Sequence, residues 1–356
     1  MLWSELYGHD RQRKWFQTAL ANGRLATSFL FVGPSGIGKR QFALLLAQSL
    51  LCRASVPQSL DPCGQCEDCA QVQAATHPDL IQLAKPADKA FLPIELLIGD
   101  REKRMREGLC HDISLKPYGG RRKVAIVDDA DTLNTEGANC LLKTLEEPPP
   151  DSILILLGTN LQRQLPTIRS RCQTIVFNAL TTEQLAKVLV ERGVVLEPVE
   201  AQNVAAQANG SFAAAAELAD IETQEFRLAV LELLAGRPLA CSQLVKCCAS
   251  FADAAGKDTR LKRDRLKIGF RTCANLYRQI TIKQFQQAGL AARATDSDRL
   301  MERHIDRAMA MWFGGSAAAR ECWNRCLTAM EQVDRNANQT ALLEAWAFDL
   351  ARLSYR

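Results

Sequence analysis

The string 33-GPSGIGKR-40 constrains this chain more than any other, because it matches G-x-x-x-x-G-K and stands between two regular elements. Before it runs Ser28-Phe29-Leu30-Phe31-Val32, an apolar stretch that reads as a strand; after it, Lys39 to Leu51 carries a helical pattern. A strand, a glycine turn and a helix in that order make a phosphate-binding loop. Glycines let backbone N–H groups wrap an anion, the helix N-terminus adds positive potential, and the Lys39 ammonium can reach terminal phosphates. Gly33, Gly36, Gly38 and Lys39 are therefore candidate nucleotide-binding residues. A coincidental glycine turn is the alternative, and the flanking strand and helix weigh against it.

Two departures bear on what such a loop could do. The position after the lysine ordinarily carries Ser or Thr, whose hydroxyl ligates magnesium, and here it is Arg40. A guanidinium has no lone pair for a cation, so metal binding is expected to be impaired and ATP or ADP to be held without hydrolysis. In 124-VAIVDDAD-131 an apolar strand ends in acids. Asp128 stands where a metal-orienting carboxylate belongs, and Asp129 where a Glu usually polarises the attacking water. Shortening that base by one methylene displaces it by roughly an ångström, a shift to which catalysis is sensitive.

Cys52, Cys63, Cys66 and Cys69 form C-x10-C-x2-C-x2-C, with Pro62 and Gly64 supplying the turn. Four thiolates at this spacing can close a tetrahedral Cys₄ site for structural Zn²⁺, leaving no open position for catalysis. An iron–sulfur cluster or plain reduced core cysteines are the alternatives. Thirteen cysteines in a chain with no basic n-region and no apolar h-region at its start argue for a reducing cytoplasm rather than a disulfide scaffold. The scattered ones, such as Cys110, Cys140, Cys247 and Cys248, read as small apolar core residues.

At 356 residues the chain needs two or three cores. No run of eighteen apolar residues occurs, and a net charge of +4 does not announce a nucleic-acid binder. The run from Lys257 to Lys283 holds nine Lys or Arg against two Asp, and reads as a solvated helix face before a phosphate track. Helical and strand patterns alternate to about residue 178: a helix from Asp10 to Ala21, then strands near 28–32, 124–127, 153–157 and 174–177. That alternation predicts a parallel α/β sheet. Beyond it helices dominate, opening with a capping box of Thr181 and Gln184, broken at Gly210-Ser211, and showing an apolar stripe over 298–313.

The loop, the Cys₄ insertion after its helix, 140-CLLKTLEEPP-149 and 170-SRC-172 together resemble the bacterial clamp-loader family of AAA+ proteins, and in particular its δ′ members. The likeness continues through 5-ELYGHDRQRKWFQTALANGRL-25, 76-THPDL-80 and 336-NANQTALLEAW-346, while residues 225–335 share only helical character. The resemblance implies that Arg171 is an arginine finger serving the ATP site of a neighbouring subunit. It puts the sensor position at Thr159 or Asn160, and Lys143, Glu146 and Glu147 on an inter-subunit face. The motor members, γ and τ, carry GK[ST], a DE-type acidic pair and a lid arginine in GSxR. Here Arg40, Asp129 and Ala213 of 210-GSFAAA-215 replace all three.

The expected architecture is an AAA+ P-loop α/β domain with a parallel sheet and zinc insertion (1–178), an all-α lid (179–222) and an all-α collar that oligomerises (223–356). The expected function is that of a clamp-loader subunit without independent ATPase activity. Its partners would be the γ/τ and δ subunits, the sliding clamp, and primer–template DNA within the complex. An active γ/τ-type ATPase and a zinc-dependent nucleic-acid-binding module are the competing readings.

Overall fold

The computed structural model describes residues 2–56, 59–86, 89, 91–119, 121–236, 238–287, 299–310 and 314–354. The chain divides into two compact units, 1–215 and 216–356.

The first unit contains, in order, α1 (Asp10–Ala21), β1 (Ser28–Val32), α2 (Lys39–Leu51), α3 (Glu67–Gln73), β2 (Leu80–Leu83), α4 (Glu95–Ile98), α5 (Leu109–Ser114), β3 (Lys123–Val127), α6 (Thr135–Glu146), β4 (Ser152–Gly158), α7 (Pro166–Arg169), β5 (Gln173–Val176), α8 (Thr182–Glu191) and α9 (Pro198–Gln207). The unit boundary falls within α10 (Phe212–Ala219). The five strands form one parallel sheet in the order β2-β3-β4-β1-β5.

The three central strands are buried along their whole length, which is why they read as unbroken apolar runs. Successive side chains leave a strand on opposite faces, so each run feeds two cores. Phe29, Phe31, Val124, Ile126, Ile153 and Ile155 pack with Phe16 of α1 and Phe42 and Leu46 of α2. Leu30, Val32, Ala125, Val127, Leu154 and Leu156 pack on the other face with Ile113 of α5, Leu141 and Leu145 of α6, and Ile168 of α7. The expected strands near 28–32, 124–127, 153–157 and 174–177 correspond to β1, β3, β4 and β5. β2 was not anticipated: it is a four-residue edge strand, mostly half-buried, with neither a long apolar run nor clear alternation to announce it.

Parallel pairing has a geometric consequence. Gly33, Asp128 and Thr159 each follow the last residue of their strand, β1, β3 and β4, and these are adjacent in the sheet. Residues more than a hundred positions apart therefore meet outside the carboxyl edge, where open α/β sheets bind their ligands. Past the sheet, Thr181 Oγ1 accepts from Gln184 N at 3.2 Å and Gln184 Oε1 from Thr181 N at 3.1 Å, forming the expected capping box.

The second unit is helical: α11 (Ile221–Ala235), α12 (Cys241–Asp253), α13 (Thr259–Gln287), α14 (Arg299–Ala310), α15 (Ser316–Asp334) and α16 (Gln339–Ser354). Its core closes around Phe270, Tyr277 and Trp346. Cys248, Cys273, Cys322 and Cys326 are buried there, and burial pushes the Cys326 thiol up to about 12. Cys110 is likewise buried, whereas Cys140 and Cys247 are half-buried, so these serve as small apolar groups rather than reactive thiols. Within the basic run, Lys262, Arg265, Lys267, Arg271 and Lys283 pair with Asp253, Glu222, Asp334, Glu217 and Asp306. Their charge is spent on neighbouring helices, in accord with a solvated face. Of the stripe over 298–313, positions 299–310 are helical, while 298 and 311–313 lie outside the described residues. Among the described residues no helix is long and apolar enough to cross a membrane.

Candidate nucleotide cleft and metal centre

The P-loop leaves β1 at Gly33 under a tight constraint. A Cβ there would sit 2.3 Å from the Phe177 carbonyl oxygen, which is backbone and cannot swing aside. Gly33 is thus required by the close approach of the chain just after β5, whatever phosphate does. Gly33→Ala should cost about 2–3 kcal/mol of stability, since overpacking against main chain has no cheap relief; chemical denaturation of the two proteins measures it. Gly36 and Gly38 have φ of 75° and 98°, and Gly38 is the N-cap of α2. Both therefore hold left-handed conformations that side chains disfavour.

Gly33, Gly36 and Gly38 shape a loop in which Lys39 is buried and donates from Nζ to Gly33 O and Pro34 O, each at 2.6 Å. Burial lowers the pKa of this ammonium, and Asp131 and Asp128 partly offset the shift. Arg40 Nε lies 3.2 Å from Asp128 Oδ2, and Arg40 Nη2 donates to Gln82 Oε1 at 3.2 Å. Position 40 and the acid at the end of β3 do meet, but as an ion pair between side chains. A hydroxyl and a carboxylate sharing a magnesium ion would need a donor set that is not there, so Mg²⁺ does not fit. Asp129 lies exposed on the cleft wall with φ of 56°.

The cleft these residues line has a volume of ≈ 260 Å³. Thr159 lines it, with N and Oγ1 donating to Asp131 Oδ2 at 2.7 and 2.6 Å. Asn160 instead caps the next turn, accepting from Gln162 N at 2.9 Å. The start of α10 packs on the loop: Phe212 N donates to Gly36 O at 2.9 Å, and Ala213 brings only a methyl group to the cleft. Two residues here escaped the sequence reading. Asp131 fixes Thr159 and Gln164, and only its place in the acidic string 128–131 hinted at it. Arg192, at the C-cap of α8, enters the cleft with its guanidinium 4.9 Å from the Phe212 ring and Nη2 3.3 Å from Gln41 Oε1. No local pattern marks that arginine.

The four cysteines do converge. All their Sγ atoms lie within 4.8 Å of one another, with Cys52–Cys63, Cys52–Cys66 and Cys63–Cys69 at 3.6, 3.7 and 3.9 Å. Zinc–sulfur bonds of about 2.3 Å in a tetrahedron require sulfur–sulfur edges of roughly 3.8 Å, so the set fits a four-coordinate ion. The insertion is wrapped so that amides point at sulfur: Cys63 N lies 3.4 Å from Cys52 Sγ and Cys66 N 3.3 Å from Cys63 Sγ. Backbone N–H groups of Gln65 and Cys66 draw the Cys63 thiol down to about 6, while burial pushes Cys69 up to about 12. Beside Cys69 lies the Gln48 amide, fully buried and directed at that sulfur. A metal-bound thiolate at Cys69 would give that amide an acceptor. Arg121 ties the module down, donating to Cys52 O at 2.7 Å and Arg53 O at 3.0 Å.

Arg171 stands apart from the residues that line the cleft. Its Nε and Nη2 contact Glu146 Oε1 at 2.8 and 2.6 Å, and Nη1 donates to Thr167 O at 3.1 Å and Ser170 Oγ at 3.2 Å. The fold thereby joins LLKTLEEPP to SRC through one ion pair. Lys143, Glu146 and Glu147 are exposed rather than buried in the domain.

Known proteins are similar to this chain in sequence. The family described as "DNA polymerase III, delta subunit" matches residues 8–181. The DNA polymerase III subunit δ′ of Pseudomonas aeruginosa is 34% identical over 236 residues, 65% of this chain and 63% of that protein. The δ′ subunit of Bacillus subtilis is 32% identical over 193 residues, 54% of each chain. The τ subunit of Escherichia coli is 35% identical over 212 residues, 57% of this chain and 31% of τ. The chain thus spans less than two thirds of the length of each of these relatives. With its parallel sheet, its Cys₄ cluster and these likenesses, the chain is similar over its first unit to DNA polymerase III subunits of the δ′ and τ kinds.

Proposed function

We propose that this chain is a δ′-type clamp-loader subunit of DNA polymerase III that works by assembly and not by its own turnover. It acts in the cytoplasm, in a complex with γ/τ and δ subunits, and helps place the sliding clamp on primer–template DNA. Its P-loop α/β domain (1–178), lid (179–222) and collar (223–356) divide that work: the first carries Arg171 to a neighbour's nucleotide, and the last oligomerises. Cys52, Cys63, Cys66 and Cys69 hold a structural zinc ion. Gly33, Gly36, Gly38, Lys39 and Thr159 hold ATP or ADP, with Asp128 and Asp129 beside it.

The observation that carries the inactive reading is the Arg40–Asp128 ion pair. It supports a site in which the carboxylate that would orient a metal is already engaged by a cation. The shortened Asp129 and the methyl group of Ala213 act in the same direction.

The isolated chain should accordingly hydrolyse ATP no faster than a Lys39→Ala control. Restoring one feature, as in Arg40→Thr, should not bring back turnover, because groups that act as a unit lose activity non-additively. Magnesium-dependent turnover that Lys39→Ala abolishes would favour an active motor subunit. Co-purification of the chain with γ/τ and δ tests the assembly half of the reading, which fails if no complex forms.

A further inference from the structure

We propose that the cleft holds a nucleoside diphosphate without any divalent cation, the Arg40 guanidinium standing as a built-in counter-ion where magnesium would otherwise bridge protein and phosphate. This rests on the reading that the P-loop still binds a nucleotide, and it says how that binding differs from a working ATPase site.

The argument begins with the donor set. A magnesium ion at a P-loop is held by the hydroxyl after the lysine and oriented by the acid at the end of the neighbouring strand. Arg40 has removed the first and paired with the second, its Nε 3.2 Å from Asp128 Oδ2. A divalent ion entering there would have to displace the guanidinium or sit against it.

Arg40 can take over part of the ion's work. Of its five N–H donors, one faces Asp128 and one faces Gln82 Oε1, which leaves three. The side chain is 57% exposed and Arg40 is among the residues that line the cleft. A planar guanidinium matches two phosphate oxygens at once and stays charged at every relevant pH. The rest of the cradle is ready: among the described residues, no acceptor takes the backbone N–H groups of Gly36 to Arg40. Lys39 Nζ rests on two carbonyl oxygens of its own loop, from which an anion can draw it.

Charge selects the shorter ligand. Arginine brings one positive charge where magnesium would bring two. The cleft wall beyond Arg40 carries the carboxylates of Asp128 and Asp129, and Ala213 adds no cation from α10. A γ-phosphate would therefore lie against acids with nothing divalent to screen it. A diphosphate ends beside the loop amides and Lys39.

The test is isothermal titration of the full chain with ADP and with ATP, each in excess EDTA and in excess magnesium. The expected result is an ADP Kd that does not tighten with magnesium and weakens as far as magnesium takes up free ADP in solution, with ATP binding more weakly than ADP in EDTA. Tightening of ADP by tenfold or more with magnesium overturns the proposal while leaving nucleotide binding intact. No heat from any titration overturns both the proposal and the nucleotide-holding reading. Arg40→Thr supplies the second arm: it restores the missing hydroxyl, so its ADP affinity should fall at least tenfold in EDTA and recover with magnesium. An Arg40→Thr chain of unchanged melting temperature that binds ADP as before in EDTA would also sink the counter-ion role. Should that variant not fold, the magnesium comparison on the unaltered chain still decides the matter.

Discussion

Complexes reconstituted with an Arg171→Ala chain should hydrolyse ATP at least about tenfold more slowly than complexes with the unaltered chain, under stimulation by clamp and primed DNA; fingers supplied in trans reach about 10³ to 10⁵ in GTPases, and sharing among several sites reduces that. The physical case starts from the degraded cleft. On the proposed reading, a chain whose own Arg40 is paired with Asp128 has no hydrolysis for a finger to assist, and Arg171 is not among the residues lining that cleft. Its side chain is one-third exposed, and the guanidinium is held by Glu146, Thr167 and Ser170. That arrangement pre-orients a planar cation for something outside the chain. Lysine should rescue poorly, because three differently directed contacts on Glu146, Thr167 and Ser170 require the guanidinium fork. Zinc content and assembly should be unaffected, since the residue is not in the core. Equal stimulated rates for both complexes would remove the trans role.

The second large effect concerns the metal. Protein purified without chelator should contain close to one zinc per chain, and Cys66→Ser should lower the melting temperature of the first unit by roughly 6–12 °C, the shift that about 3 kcal/mol produces in a unit of this size. Three sulfur–sulfur edges already lie at 3.6 to 3.9 Å, and the ligands come from a short insertion with little core of its own. Without the ion, nothing but weak thiol contacts holds the four sulfurs together. The sheet should stay folded, since its two cores are built mainly from strands and helices outside the module, which adds Leu60 and Val72 to one of them. Elemental analysis below half an equivalent of zinc would count against the assignment. So would a Cys66→Ser chain as stable as the unaltered one.

How far the chain could be read in advance follows from the range of each interaction. The strand that feeds the P-loop, the helix that leaves it, the capping box at Thr181 and the C-x10-C-x2-C-x2-C spacing are all local. Neighbours in sequence decide them, so they were legible. β2 was missed because an edge strand of four residues takes its conformation from pairing with β3 and not from its own pattern. The choice between Thr159 and Asn160 stayed open for a related reason. Both follow β4, and only the position of Asp131 across the sheet edge turns Thr159 towards the cleft while Asn160 caps a turn.

The sequence by itself determined the class of site: a phosphate loop lacking its metal hydroxyl, a Cys₄ insertion, and an arginine in an SRC corner. These are matters of residue type and spacing, which a chain carries whatever its fold. Tertiary structure alone decided what the substitutions do to one another. Arg40 and Asp128 are eighty-eight positions apart, yet the parallel sheet brings the helix that follows β1 and the end of β3 to the same carboxyl edge, where the two side chains pair. Arg192 reaches the cleft because the chain from α8 to α10 returns to the loop, and Glu146 meets Arg171 because α6 and α7 flank β4. Such contacts arise from the sheet's crossovers, and no local window of sequence contains them.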